Sequence, residues 1–356
     1  MRFTVVLFAL AASMTSVAAA PQLPRYTITP IVLPEPTNAI LGPVLTDLNN
    51  RGEVTLYNSE NAALHGYVWK NGVIRELFDN AGRYVVPNGL NDSGVIVSND
   101  FVISGRHLHR IDVHGGTFTA TRDINNRGQI LGRTYFPGSP TEEDFVLSPK
   151  GAITILKGVP DAVDYTWALA MNDRGTVVGQ TGIRKPDLIP YFPAVWERGT
   201  VMLLPMPQNA LSGVAWDINN DDVIVGEVQV STKLTSAFLW HEGRLKILPP
   251  LRPHWAYSSA DSVNDCGDAV GQSTELVVPG GRGVLWHKGK AFDLNRLVLP
   301  SDPLKPVVTL GLGLRINNHG QILAAGFDAR YPAAGYVSGF FLSPTKPYHC
   351  ECTHGH

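Results

Sequence analysis

A five-residue turn, apolar-Asn-(Asn/Asp)-x-Gly, recurs through the chain and limits what it can fold into. It stands at Asn49-Asn50-Arg51-Gly52, Asn91-Asp92-Ser93-Gly94, Asn125-Asn126-Arg127-Gly128 and Asn172-Asp173-Arg174-Gly175. Further copies are Asn219-Asn220-Asp221-Asp222, Asn264-Asp265-Cys266-Gly267 and Asn317-Asn318-His319-Gly320. The intervals between first asparagines are 42, 34, 47, 47, 45 and 53 residues, about 45 on average. Asn and Asp tolerate left-handed backbone angles and bond their own main chain, and Gly takes a positive φ without a clash, so each copy reads as a hairpin turn. The residue before each turn is apolar: Leu48, Leu90, Ile124, Met171, Ile218, Val263 and Ile316.

A second strand follows each turn, as in Val177-Val178-Gly179-Gln180, and a third carries aromatic or aliphatic residues, as in Ala237-Phe238-Leu239-Trp240. A Gly turn then leads to a fourth, such as Arg244-Leu245-Lys246-Ile247-Leu248. Four strands in ~40–50 residues is the repeat of a propeller blade. The expectation is an all-β, single-domain, seven-bladed β-propeller of four-stranded antiparallel blades. The short interval fits once Phe101-Val102-Ile103 is aligned with Phe238-Leu239-Trp240, because the deficit falls between strands two and three. The last unit has no fourth strand of its own. Tyr26 to Leu33 is expected to supply it and close the ring, with Pro30 and Pro34 suited to an outer strand.

Units of the form Ile-Asn-x-x-Gly-x-(Ile/Val)-(Val/Leu)-Gly followed by Ala-Phe-Leu-Trp-x-x-Gly resemble the HAF-type extracellular repeats of exported bacterial proteins. Ile218 to Gly243 is the fullest copy, with Asp222 where the family has Gly and Ser236 where its His would stand. The resemblance spans residues 26 to 344 and implies an exported propeller; it brings no catalytic residues.

Export is also legible at the N-terminus. Arg2, the apolar run Phe3 to Ala12 and Val17-Ala18-Ala19 read as a signal peptide of residues 1–19, too short in its apolar part for a spanning helix. The propeller then occupies 20–346 and a Cys/His-rich tail 347–356. A secreted or periplasmic location follows, where disulfides persist. The three cysteines, Cys266, Cys350 and Cys352, allow one bridge, from Cys266 to either tail cysteine. A metal site in the tail or a loose tail are the alternatives; Cys-x-Cys with His-x-His is not a standard zinc spacing.

With 29 basic against 31 acidic residues the chain has no field for nucleic acid or anionic lipid, and no segment reads as a membrane span. No cofactor is expected, and a monomer is. The acidic turn Asp217 to Asp222 lacks the later ligands of a calcium loop and reads as a hairpin.

The face opposite the turns is where a ligand is expected, because loops there vary without disturbing the scaffold. Tyr165, Arg184, His254, Tyr257 and Arg330 are its candidate binding residues, whereas Trp69, Trp196, Trp240 and Trp286 are assigned to packing. The functional reading is a binding module for a carbohydrate or a protein. The alternatives are a polysaccharide-active enzyme, a uronate lyase in preference to a hydrolase, and a non-catalytic structural surface protein. In the lyase reading His254 or Tyr257 is the base and Arg184 or Arg330 neutralises the uronate.

Overall fold

The computed structural model describes residues 23–33, 43–60, 63–105, 107–139, 141–159, 162–183, 190–275, 281–331 and 338–348. The expected signal peptide, Arg184, Cys350 and Cys352 lie outside them, as does the Tyr165 side chain. Among the described residues the one α-helix is the single turn Leu294–Leu297, and all other regular structure is β. The chain is a β-propeller of four-stranded antiparallel blades. Five stand as separate sheets: 44–77, 89–110, 117–156, 162–203, and 308–344 together with Tyr26–Ile31.

Seven blades were expected, and here the structure differs, with five four-stranded blades. The units 212–247 and 257–293 form one eight-stranded sheet. Their connection is a single parallel pair, Thr235 with Tyr257. There Ile224–Ser231 and Leu234–His241 run eight residues each, and the second reaches the start of the neighbouring inner strand.

The turns explain why the repeat insists on asparagine. Asn219 Oδ1 accepts from Asp221 N at 3.0 Å and Val223 N at 2.8 Å, closing its own hairpin, while Nδ2 donates to Asn264 O at 2.8 Å. Only a side chain with an acceptor and a donor on one planar group does both. The same Nδ2-to-carbonyl bond runs from Asn49 to Asn91, Asn91 to Asn125, Asn125 to Asn172 and Asn172 to Asn219. Asn264 to Asn317 and Asn317 back to Asn49 complete a closed circuit of the seven turns.

A second circuit lies beside it, made by the next residue of each turn: Asn50, Asp92, Asn126, Asp173, Asn220, Asp265 and Asn318. Each backbone N–H donates to the side-chain Oδ1 of the next, for example Asn50 to Asp92 at 2.7 Å and Asn318 to Asn50 at 2.8 Å. Asn and Asp alternate so that each carboxylate sits between amide donors; Asp92 Oδ2 accepts from Asn50 and Asn126, both at 2.9 Å. An odd ring cannot alternate throughout, and the one like pair, Asn318 beside Asn50, is amide with amide rather than two repelling carboxylates.

The glycine of the second strand has a different cause. The inner strand bulges just before its turn, with a register shift between Ala215 and Asp217. A Cβ on Gly226 would lie 2.0 Å from Val214 O, and one on Gly271 2.0 Å from Ser259 O. No side chain fits there, so the bulge and the glycine come together.

Between blades the core is apolar and dense. Trp69, Trp196 and Trp286 are fully buried, as assigned from the sequence, and Trp240 is partly buried. Two of the indoles also bond across blades, Trp196 to Lys157 O and Trp286 to Pro249 O, each at 2.8 Å. Tyr26–Ile31 pairs antiparallel with Ser338–Pro344, from Tyr26 opposite Pro344 to Ile31 opposite Gly339.

Candidate functional site

The residue two before the first turn asparagine lies at the bulge and is polar or charged in five units. Asp47, Asp123, Asp217, Ser262 and Arg315 occupy this position. Each aspartate clamps two units: Asp47 accepts from Leu48 N at 2.9 Å and from Leu90 N of the next unit at 2.8 Å. Asp123 does so with Ile124 and Met171, and Asp217 with Ile218 and Val263.

Arg315 is the cation of this layer, 3.5 Å from Asp47. Burial opposes its charge, but Asp47, Asp217, Asp123 and Asp261 outweigh that and hold the guanidinium ionised. For the carboxylates burial dominates. It pushes Asp123 up to about 7, with the negative Asp47 adding to it, and raises Asp47 and Asp217 despite Arg315.

Further from the turns, two unit boundaries carry side-chain clusters. At the first, Arg133 meets Asp144 in a two-pronged pair, Nε to Oδ1 at 2.8 Å and an Nη to Oδ2 at 2.9 Å, and also donates to Thr166 O. Asp144 accepts from Ala168 N at 2.8 Å as well. The guanidiniums of Arg122 and Arg133 lie 5.0 and 5.6 Å from the centre of the Trp167 ring, within cation–π range.

At the second boundary, Tyr257 OH donates to Glu227 Oε2 at 2.8 Å and Ser259 Oγ donates to Asp261. Trp216, 37% exposed, stands beside Glu227 and lowers it. Burial raises Glu227, which the neighbouring Tyr257, Ser259 and Trp216 only partly offset. Burial pushes Asp261 up to about 7, with the Glu227 charge adding to it against Ser259 and Arg315. This wall can accept hydroxyl or ammonium protons, offers a flat apolar face, and holds a carboxyl that keeps a proton near neutral pH.

The residues singled out from the sequence are scattered. Tyr257 opens the strand Tyr257–Val263, at the end remote from the turns, and belongs to this wall. Burial and the negative Glu227 beside it raise its phenol strongly, which opposes service as a base. His254 is exposed on the preceding loop, next to Trp255, over which Arg252 stacks at 5.3 Å. Arg330 is exposed and tied to Asp328, with Nε to Oδ1 at 3.0 Å. Tyr165 is on the strand Ala162–Met171, with only its backbone described. Cys266 donates its N–H to Asn264 Oδ1 in the turn, as its neighbours in the repeat do. Glu227, Asp261, Trp216 and Arg315 were missed. The available signal was a charged or bulky polar residue inside otherwise apolar strands flanking a turn.

No family model and no curated protein matches this chain. Solved structures do. The β-propeller domain of the Trilobed protease from Pyrococcus furiosus, described as having an open velcro topology, superposes with a TM-score of 0.53 at 10% identity, covering 86% of this chain and 97% of that one. A virginiamycin B lyase from Staphylococcus aureus gives a TM-score of 0.49 at 13% identity, covering 89% and 99%. At these identities the likeness is one of fold. No helix of the described residues is long and apolar enough to cross a membrane.

Proposed function

We propose that this chain is an exported binding module that takes a carbohydrate on the channel wall formed by Trp216, Glu227, Tyr257, Ser259 and Asp261. The observation that carries this reading is the half-exposed Trp216 indole beside hydrogen-bonding carboxyls and hydroxyls. A sugar ring has an apolar face to lay on an indole and hydroxyls to donate to carboxylates, and a site with both is a sugar site in its chemistry. A glycan-array screen on the protein lacking residues 1–19 tests it, with tryptophan fluorescence following each hit. Saturable binding that falls at least tenfold in Trp216→Ala is the expected result; binding indifferent to that substitution overturns the placement.

The second reading, a polysaccharide-active enzyme, is favoured by one observation: Asp261 titrates at about 7 beside Glu227, as a general acid would. A uronate lyase draws no support from this wall, because its carboxyls repel the substrate's own. Product release from neutral polysaccharides in the same screen would select the enzyme.

Three structural readings accompany the proposal. The eight-stranded sheet serves as two blades of a seven-bladed ring of HAF-type repeats, a count supported by the seven-membered asparagine circuit. The protein is a monomer outside the cytoplasm. Cys266 pairs with Cys350 or Cys352, stapling the tail to the turn face. Tyr348 supports that staple, since its hydroxyl donates to Asp268, two residues from Cys266, and its ring fills the space beside Gly320. Peptide mapping without reductant should yield one linked pair containing Cys266; recovery of all three thiols free would remove the staple.

A further inference from the structure

Two unit boundaries place a charged residue at the same point of the fold and resolve it differently. Arg133 and Glu227 each stand eight residues after the first asparagine of their turn, Asn125 and Asn219. Each reaches the inner strand of the next unit, Arg133 at Thr166 O and Glu227 at Tyr257 OH. Directly across from Arg133 on the third strand is Asp144, which takes the guanidinium in a fork. Directly across from Glu227 is Ala237, fully buried.

So the fold has a position for the counter-charge, fills it in one blade and leaves it apolar in the other. Among the described residues, Glu227 accepts from the neutral Tyr257 hydroxyl, with Ser259 and Trp216 beside it. Asp261 has the Ser259 hydroxyl, and the cation acting on it is the more distant Arg315, shared with three other aspartates. The first boundary combines guanidinium groups and a carboxylate with an indole from the next unit's inner strand, Trp167; the second has carboxyls and an indole from Glu227's own inner strand, Trp216.

We propose that the wall of Trp216, Glu227 and Asp261 receives a ligand's ammonium group, and that the ligand is an oligosaccharide of amino sugars. The inference rests on the carbohydrate reading above and narrows it. An ammonium offers three donors to the two carboxyls and a positive charge to the indole face, the two interactions that arginine supplies at the sister boundary. A buried carboxyl whose charge is opposed by burial ionises when a cation arrives beside it, so uptake is accompanied by proton release to solvent. The groups that titrate with it are Glu227 and Asp261, faced by Tyr257 and Arg315.

The test uses a glucosamine hexamer, an N-acetylglucosamine hexamer and a lysine hexamer, by calorimetry at pH 6 in two buffers of different ionisation enthalpy. The glucosamine hexamer should bind at least tenfold more tightly than the other two, with net proton release. Glu227→Gln, which keeps the side-chain shape and the tyrosine bond, should weaken it at least tenfold and reduce the release. Asp261→Asn should do the same, so the result does not hang on one variant's folding. Asp112→Asn, an exposed residue changed by the same charge, should bind as the parent does. Equal affinity for the two sugar hexamers would overturn the ammonium inference and leave the carbohydrate reading standing. Preference for the lysine hexamer would overturn the sugar assignment. Silence towards both sugar hexamers and every arrayed glycan would overturn the inference and the reading together.

Discussion

A chain lacking Tyr26–Ile31 is expected to lose its single cooperative unfolding transition. These six residues pair along their length with Ser338–Pro344 and bury Tyr26, Ile28 and Ile31 to 0, 9 and 5% exposure. At roughly 1.5–3 kcal/mol for each such side chain, burial alone accounts for about 4.5–9 kcal/mol. The strand also ties distant segments: Ile28 N donates to Asp302 Oδ2 at 2.8 Å, and Leu299 N donates to Tyr26 O at 2.9 Å. A domain's entire stability is about 5–15 kcal/mol, so the deletion removes an amount of the same order. It also bares an edge whose residues Phe340, Phe341 and Leu342 are otherwise buried, a template for aggregation. Thermal denaturation followed by circular dichroism, with light scattering, reads both effects. A deleted chain that stays monomeric and melts within a few degrees of the parent would show that the strand is not what closes the ring.

What the sequence made legible divides by range. Each turn is a local event within five residues, so the Asn-(Asn/Asp)-x-Gly pattern gave the hairpins, and their spacing gave the blade. The pairing of Tyr26–Ile31 with the last unit was legible because that unit lacked an outer strand and Tyr26 to Leu33 had the length and character to fill it. The alternation of Asn50, Asp92, Asn126, Asp173, Asn220, Asp265 and Asn318 was present in the sequence but acquires meaning only when the turns are neighbours in a ring. The site was less legible for the same reason. That Glu227 faces Ala237 while Arg133 faces Asp144 is a matter of cross-strand register, and the Tyr257 to Glu227 bond spans 30 residues. Tyr257 was found because it is an aromatic near a strand start. Its partners were not, because a carboxylate inside a strand reads as solvated until the neighbouring blade is placed against it. The joining of units 212–247 and 257–293 depended on one residue pair, Thr235 with Tyr257, which no turn pattern marks.

Arg315→Leu is expected to be the most damaging single substitution in the layer of Asp47, Asp123 and Asp217, and its cost should depend on pH. The guanidinium faces Asp47, Asp217, Asp123 and Asp261, and its removal leaves their charges uncompensated; with the Arg315 side chain 40% exposed, solvent screens part of that loss and the cost falls below that of a fully buried pair. In the parent, Asp123 and Asp261 already titrate at about 7, above the ~3.9 of an unfolded aspartate. Between those values the native state holds protons that the unfolded chain has released. Stability from these groups is therefore full below pH ~4 and declines as pH rises towards 7. The parent should melt at a higher temperature at pH 5 than at pH 8. Without Arg315 the raised Asp47 and Asp217 lose the charge that lowers them and join this behaviour, so the slope steepens. The substitution should then cost most at pH 8 and markedly less at pH 5, where protonated aspartates no longer repel. Arg315→Lys, which keeps a charge but not the planar fork, should fall between. Paired melting curves of the three proteins at the two pH values decide it. A loss that is the same at pH 5 and pH 8 would mean that Arg315 acts by packing, and that these aspartates are held by their backbone clamps alone.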